Sequence, residues 1–462
     1  MEIFCMISNT FNRIRHHCDT RWILHIALTI FLATVALSSL AVSQYGQERI
    51  RRERTFGEPV FCEIHSILTS TDSANVEVLY KIRKDIFTFS RPIDDPTAPF
   101  SGSADITIEV LDSAGNSVTR NIHELPMTTE DNNLSSLKTQ YCEGLSSFRL
   151  HYGKYSLLLQ ITDRNSHASI PDIRRRFHLR PKSSPIRSDL IPVTHTAAND
   201  SEYRCFNLGG DIQFSHNSDF VFVMRSPTTQ PGLRYSLKRI DMEDEDNTEV
   251  IVNDTTINGS FFTGMLPSFS EKDSAIVLSM TPDSQYTTIV IPFHSIMLKQ
   301  GLYKVTVKVD TAEITSQFRI RWLDMPSMLT DLDLAIIPLQ YITTEDEYSE
   351  LQSGNRAERI KKFDAFWQKK DPTPGTAYNE LLAEFYKRAD IAMTAYRTLK
   401  EFNGTLTDRG KIFILYGKPT KTERYLKPGD IPKEIWKYAS HHKTFIFEDP
   451  SKQGNYKLAE IQ

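Results

Sequence analysis

The sequence predicts a multi-domain protein: two all-β immunoglobulin-like sandwich regions followed by an α+β domain of three helices and a small antiparallel sheet. Three observations lead there. From Pro59 to Pro181, and again up to about Leu323, apolar and polar residues alternate every second position in short runs. After Met325 the apolar spacing changes to that of helices. The length, 462 residues, exceeds what one hydrophobic core usually serves.

The expected boundaries are 59–181 for the first sandwich, 182–200 for a linker, 201–325 for the second sandwich and 330–462 for the α+β domain. In the first region the strand candidates are Val60 to Leu68, Asn75 to Ile82, Ala104 to Leu111, Tyr155 to Ile161 and Arg175 to Leu179. In the second they are Phe220 to Met224, Arg234 to Ile240, Ala275 to Met280, Thr287 to Pro292 and Leu302 to Val309. Residues 182–200 are rich in Pro, Ser and Thr, which reads as a connection between domains. Gly153-Lys154-Tyr155 and Gly301-Leu302-Tyr303 each introduce a strand, a weak sign that the two regions are alike.

Ahead of these regions, Trp22 to Val42 carries no Asp, Glu, Lys or Arg, and Arg13, Arg15 and Arg21 precede it. Residues 1–43 therefore read as a signal peptide or an N-terminal membrane anchor. Ala41-Val42-Ser43 offers the small residues of a cleavage site, whereas the length of Trp22–Ser43 suits an uncleaved spanning helix of about 20 residues. Either way the body of the protein is expected to be exported, to a periplasmic or extracellular location, with inner-membrane anchoring if the helix is retained.

Composition narrows the chemistry. Hydrophobic content of 40%, charged content of 24% and a formal net charge of −4 describe an ordinary folded protein and give no footprint for nucleic acid. The cluster Arg49, Arg51, Arg52 and Arg54 reads as a solvated patch, and the acidic run Asp241 to Asp246 as a solvated hairpin tip. Cys62 and Cys142 fall in one β region. They either form a disulfide in an oxidising compartment or, with Cys205, stay as buried thiols. No Cys/His spacing points to a metal, and no cofactor loop is recognisable.

In the last region, Thr344 with Glu347 and Asn355 with Glu358 have the form of capping boxes. Ile360, Phe363 and Trp367 recur at helical spacing until Asp371-Pro372 stops them. Thr376 is a plausible cap for a third helix, whose apolar stripe runs Tyr378, Leu382, Phe385, Ala389, Ala392, Tyr396 and Leu399. Lys411 to Tyr416, Glu434 to Tyr438, Thr444 to Phe447 and Tyr456 to Ile461 read as strands.

This region carries Phe366-Trp367, Asp371-Pro372-Thr373-Pro374, Asn379-Glu380, Thr407-Asp408-Arg409-Gly410, Tyr416-Gly417-Lys418-Pro419 and Glu434-Ile435-Trp436-Lys437-Tyr438. Together they resemble the GWxTD family, with Thr405 standing where the family's tryptophan is expected. The resemblance covers about the last 130 residues and implies no established reaction. The candidate binding or structural residues are Phe366, Trp367, Asp371, Pro372, Asn379, Glu380, Asp408, Arg409 and Trp436. None is assigned as catalytic. Two of Asp371, Glu380 and Asp408 facing one cleft would make a carboxylate-dependent hydrolase of envelope polymer. Carboxylates spent in separate turns would instead leave a binding or scaffolding protein with a protein or glycan partner. The turn at Gly404–Gly410 is expected to dock beside Phe366–Glu380.

Overall fold

The computed structural model describes residues 58–462 except 133–136, 181–184, 196–201, 228 and 242–246. The expected signal or anchor segment, the cluster Arg49–Arg54 and most of the acidic run lie outside the described residues. Among the described residues, no helix is long and apolar enough to cross a membrane.

The first β body pairs two antiparallel sheets. One holds β1 (Val60–Ile67), β2 (Ser73–Arg83) and β5 (Tyr141–His151), in the order β1-β2-β5. The other holds β3 (Phe100–Leu111), β4 (Ser117–Thr129), β6 (Gly153–Asp163) and β7 (Ile173–Leu179), in the order β4-β3-β6-β7. Val76, Val78, Tyr80 and Ile82 meet Ile106, Ile108, Leu157 and Leu159 across the core. The alternation read from the sequence is this inward face.

The second β body has a sheet of β10 (Ile212–Gln213), β12 (Leu233–Ile240), β13 (Thr248–Thr256), β16 (Gly301–Val309) and β17 (Ala312–Arg321), ordered β10-β17-β16-β12-β13. Its other sheet holds β8 (Ile191–His195), β9 (Glu202–Cys205), β11 (Ser218–Arg225), β14 (Ser260–Lys272) and β15 (Ala275–Phe293). The run β13-β12-β16-β17 repeats the order β4-β3-β6-β7 of the first body. In both bodies the tyrosine after the strand-opening glycine donates its hydroxyl to the carbonyl four residues upstream: Tyr155 to His151 and Tyr303 to Lys299. This back-bonded tyrosine at a strand entry is a device of immunoglobulin-type sandwiches.

Three features of the β regions correct or extend what the sequence implies. First, the described part of the expected linker 182–200, residues 185–195, is built into the fold. Ile191–His195 is the strand β8, paired with β9 and β11. Just before it, Arg187 O accepts from Leu68 N at 2.8 Å, and Arg187 N donates to Val223 O at 2.6 Å. Ser188 Oγ accepts from Val223 N. The segment thus stitches β1 to β11. Ile186, Ser188 and Leu190 are buried with period two, a signal hidden among prolines and serines.

Second, the sheet β1-β2-β5 is covered on both faces. Phe61, Glu63, His65 and Ile67 alternate with the first-core residues and point toward the second body. Lys81 and Glu143 form an ion pair of 3.0 Å there, and Glu143 also accepts from Ile276 N. This face mixes Phe61 and Ile67 with Glu63 and His65, so its burial leaves no continuous apolar stripe in the sequence.

Third, Cys62 and Cys142 are not bridged; both are free and buried, as is Cys205. Cys62 lies opposite Tyr80 and Cys142 opposite Ile82, on the two strands flanking β2. Two strand spacings put their backbones about 9–10 Å apart, beyond the roughly 7 Å a disulfide spans.

A smaller difference is that Ala275 to Met280 and Thr287 to Pro292 are one strand, β15. In its middle Thr281 and Pro282 still pair with β14, whereas Asp283–Tyr286 bulge opposite the register shift at Gly264 (φ +73°).

The carboxy-terminal module contains α1 (Leu332–Ile336), α2 (Glu345–Gln352), α3 (Arg356–Lys369), α4 (Glu380–Ala395) and α5 (Asp408–Tyr416). These pack on a sheet of β18 (Lys421–Tyr425), β19 (Lys433–Tyr438), β20 (Lys443–Glu448) and β21 (Lys457–Ile461), in sequential antiparallel order. Both capping boxes form, and Arg388 reaches Glu384 at 2.7 Å one turn away.

Among the described residues the helices of this module number five rather than the expected three, and two further expectations fail. Lys411 to Tyr416 is helix, not strand. Ile412, Phe413 and Ile414 are consecutive and all buried, so the core of α5 reads as a continuous apolar run without a 3.6-residue period. The helix is instead defined at its ends, by Thr407 Oγ1 accepting from Gly410 N and by Gly417 at φ +74°. The cap of α4 is Asn379 rather than Thr376, so Tyr378 lies before the helix, while Tyr396, its C-cap, and Leu399 lie past its end.

Candidate functional site

The motif residues form two clusters, one at each end of α4. At its start, Trp367 on the last turn of α3 is 2% exposed and packs against Phe385 and Tyr386, at ring distances of 5.4 and 5.6 Å. Phe366 meets Trp367 edge-on, and Lys370 lies over its ring. Pro372 prevents α3 from continuing. Asp371 Oδ1 then accepts from Thr373 N at 2.9 Å, which closes the turn.

Asn379 completes the junction with both ends of its amide. Its Nδ2 donates to Trp367 O, and its Oδ1 accepts from Leu382 N, each at 2.9 Å. One side chain therefore satisfies a carbonyl at the end of α3 and an amide at the start of α4. Glu380, in the first turn of α4, accepts from the Thr373 hydroxyl. The turn also docks on the second β body. Ala377 N donates to Ile296 O at 2.8 Å, and Tyr378 packs against Phe214 and Trp322, each at 5.4 Å.

At the other end, the 3-10 turn Gly404–Leu406 lies against the last turn of α4. A Cβ on Gly404 would collide with Ala392 O, and one on Gly410 with Gly404 O. Thr405 is fully buried. It donates to Asn403 Oδ1 at 2.6 Å, and its carbonyl accepts from Tyr341 Oη at 2.7 Å. Asp408 Oδ2 accepts from Leu458 N of β21 at 2.8 Å. Arg409 pairs with Glu434 at 3.1 Å, with 13% and 4% of their side chains exposed, and stacks over Tyr456. Glu434 Oε1 accepts from Trp436 Nε1 at 2.8 Å. Burial, followed by the Glu434 carboxylate, pushes Tyr396 up to about 12.

The structure thus brings Phe366, Trp367, Asp371, Pro372, Asn379 and Glu380 together, and Asp408, Arg409 and Trp436 together, but not the two groups. Glu380 and Ala392 are about 18 Å apart along the helix. The expected docking of Gly404–Gly410 beside Phe366–Glu380 does not occur, because each turn is tied to a different end of α4. Glu434 and Thr373 are the pivotal residues that sequence reasoning left out of the candidate site. Glu434 carried a usable signal, lying two residues before Trp436 and so on the same face of β19.

Among the described residues, no group of three His, Cys, Asp or Glu side chains is placed to hold a metal ion. An open recess of about 490 Å³ lies on the first body, lined by Ser101, Gly102, Ser103, Glu124, Thr128 and Asn165 among others, and it includes none of the motif residues.

Residues 301–461 match the family model described as GWxTD domain. The match begins at the first residue of β16, well upstream of the helical module. No curated protein matches the chain. Among solved structures, the chain is similar to one described as BspA_C_WT, at 7% identity and a TM-score of 0.14, covering 56% of this chain and 99% of that one. It is also similar to tandem immunoglobulin domains of titin, at 9% identity and a TM-score of 0.11, covering 57% and 98%. A third is the N-terminal domain of the Streptococcus gordonii adhesin Sgo0707, at 10% identity and a TM-score of 0.12, covering 54% and 62%.

Proposed function

We propose that this chain, with its carboxy-terminal GWxTD region, is an exported bacterial cell-envelope protein with a non-enzymatic binding or scaffolding role. In this reading two immunoglobulin-like sandwich domains hold an α+β domain that engages a protein or glycan partner of the envelope. Export rests on the apolar segment Trp22–Ser43. The observation that carries the non-enzymatic role is the use of the motif side chains. Asp371, Asn379, Glu380, Asp408 and Arg409 all bond within the chain, to turns, helix ends and a neighbouring strand.

One observation favours the alternative, a carboxylate-dependent hydrolase of envelope polymer: Asp371 and Glu380 meet at Thr373. The two readings separate in one assay. The full-length protein is incubated with purified envelope polymer, and soluble fragments are quantified alongside an E380Q variant. The scaffold reading expects no release by either protein. Release by the parent that E380Q abolishes would establish the hydrolase. Export is tested separately, by protease accessibility of the protein in intact cells after the outer barrier is opened. Protection of the whole chain would contradict it.

A further inference from the structure

The strand β7 has features that the scaffold reading does not use. Among the described residues it pairs only with β6, so one edge of its backbone is unpaired along Ile173–Leu179. The strand contains neither proline nor glycine. Ile173, Phe177 and Leu179 face the first core. Arg174, Arg176 and His178 therefore share the outer face, and Lys154 of β6 lies directly opposite His178. All four are exposed, as is Arg180, which hydrogen-bonds to His178. Arg174, Arg176 and Lys154 have no acidic partner within ion-pair distance among the described residues. Desolvation, then the charges of Arg180 and Lys154, hold His178 below its ordinary value.

We propose that β7 is a docking edge for an extended acidic peptide, which adds as a further strand and sets alternate carboxylates against Arg174 and Arg176. The geometry favours a peptide because a paired strand has the same side-chain repeat, about 6.6–6.8 Å every second residue, as the arginines it would face. The backbone edge supplies affinity and the arginines supply selection. A flat anionic membrane fits less well, since over β3 and β4 the cations Arg120 and Arg164 are already paired with Asp105, Glu109 and Glu124, which confines the unpaired positive charge to a narrow strip. The site lies in the first body and does not depend on the carboxy-terminal module, so it stands or falls separately from the scaffold reading. The opposing reading is that the arginines merely guard an exposed edge.

The test is a titration of the full-length protein with a labelled peptide carrying Glu at alternate positions in a Thr background. Binding is expected, weakening as salt rises, and R174E/R176E should weaken it at least about tenfold with Tm unchanged. N-methylation of one of the two alternate sets of peptide amides should abolish it, because those amides pair with β7. The proposal is overturned if the peptide does not bind, if R174E/R176E binds it equally, or if both N-methylated peptides bind like the parent. Retention on anionic lipid vesicles without peptide binding would also overturn it.

Discussion

Gly404 and Gly410 show why single residues in this chain are fixed. Each sits where backbone approaches backbone, so a methyl group has no space to occupy. Gly404→Ala is expected to cost about 2–3 kcal/mol in a denaturation measurement. Gly375→Ala, in a turn with nothing within 4 Å, should cost less than about 0.5 kcal/mol. Glu434 has the opposite character, since it is needed for what it binds. Glu434→Ala leaves Arg409 buried without its partner and Trp436 Nε1 without an acceptor. A loss of about 3–5 kcal/mol is expected by urea unfolding. The thiols are inert by comparison. Burial pushes Cys62 and Cys142 up to about 12 and raises Cys205 well above its usual value. At pH 8 the first two should be thiolate on the order of one part in ten thousand, so a thiol reagent should label all three only as the protein unfolds.

At the scale of elements, the sequence was most legible where polar ends frame an apolar run. The capping boxes at Thr344 and Asn355 were readable because capping residues and their spacing are local. α5 was not, because a short helix with three consecutive buried apolar residues carries the composition of a strand. The junction of α3 and α4 lies between these cases. Its proline stop was readable, but the double use of Asn379 depends on where Trp367 O ends up. Asn379→Asp keeps the cap acceptor and loses the donor, so it should destabilise less than Asn379→Ala. The alanine variant is expected to cost about 1–2 kcal/mol by thermal or chemical unfolding.

At the scale of the molecule, the joins between bodies are built from charge and backbone as much as from apolar contact. Burial by itself raises the pKa of Glu63, but His65 and the amides of Gly210 and Leu208 outweigh it, so the carboxyl sits below its ordinary 4.5. The native state then keeps Glu63 charged where the unfolded chain takes up a proton. Its contribution is present above pH 4.5 and is lost as pH falls through the lowered native value. Unfolding free energy against pH should therefore fall less steeply on the acid side in Glu63→Gln than in the parent. The other join bears on the family's unit. The matched residues 301–461 include β16 and β17, whose sheet neighbours β12 and β10 lie outside the match. A fragment of residues 301–462 should be protease-sensitive and poorly folded. One that begins at residue 185 should resist proteolysis.

The sequence by itself determined the β-then-mixed composition, part of the strand set, the capping boxes at Thr344 and Asn355 and the family resemblance of the last region. These depend on period and on neighbours a few residues apart, which a chain carries with it. Tertiary structure alone decided that Cys62 and Cys142 lie across a strand, that residues 185–195 bind two bodies together, and that the motif residues divide between the two ends of α4. Those outcomes depend on which distant segments meet, and buried charged faces such as Glu63, His65 and Glu143 look like solvent-facing ones until the partner surface is in place.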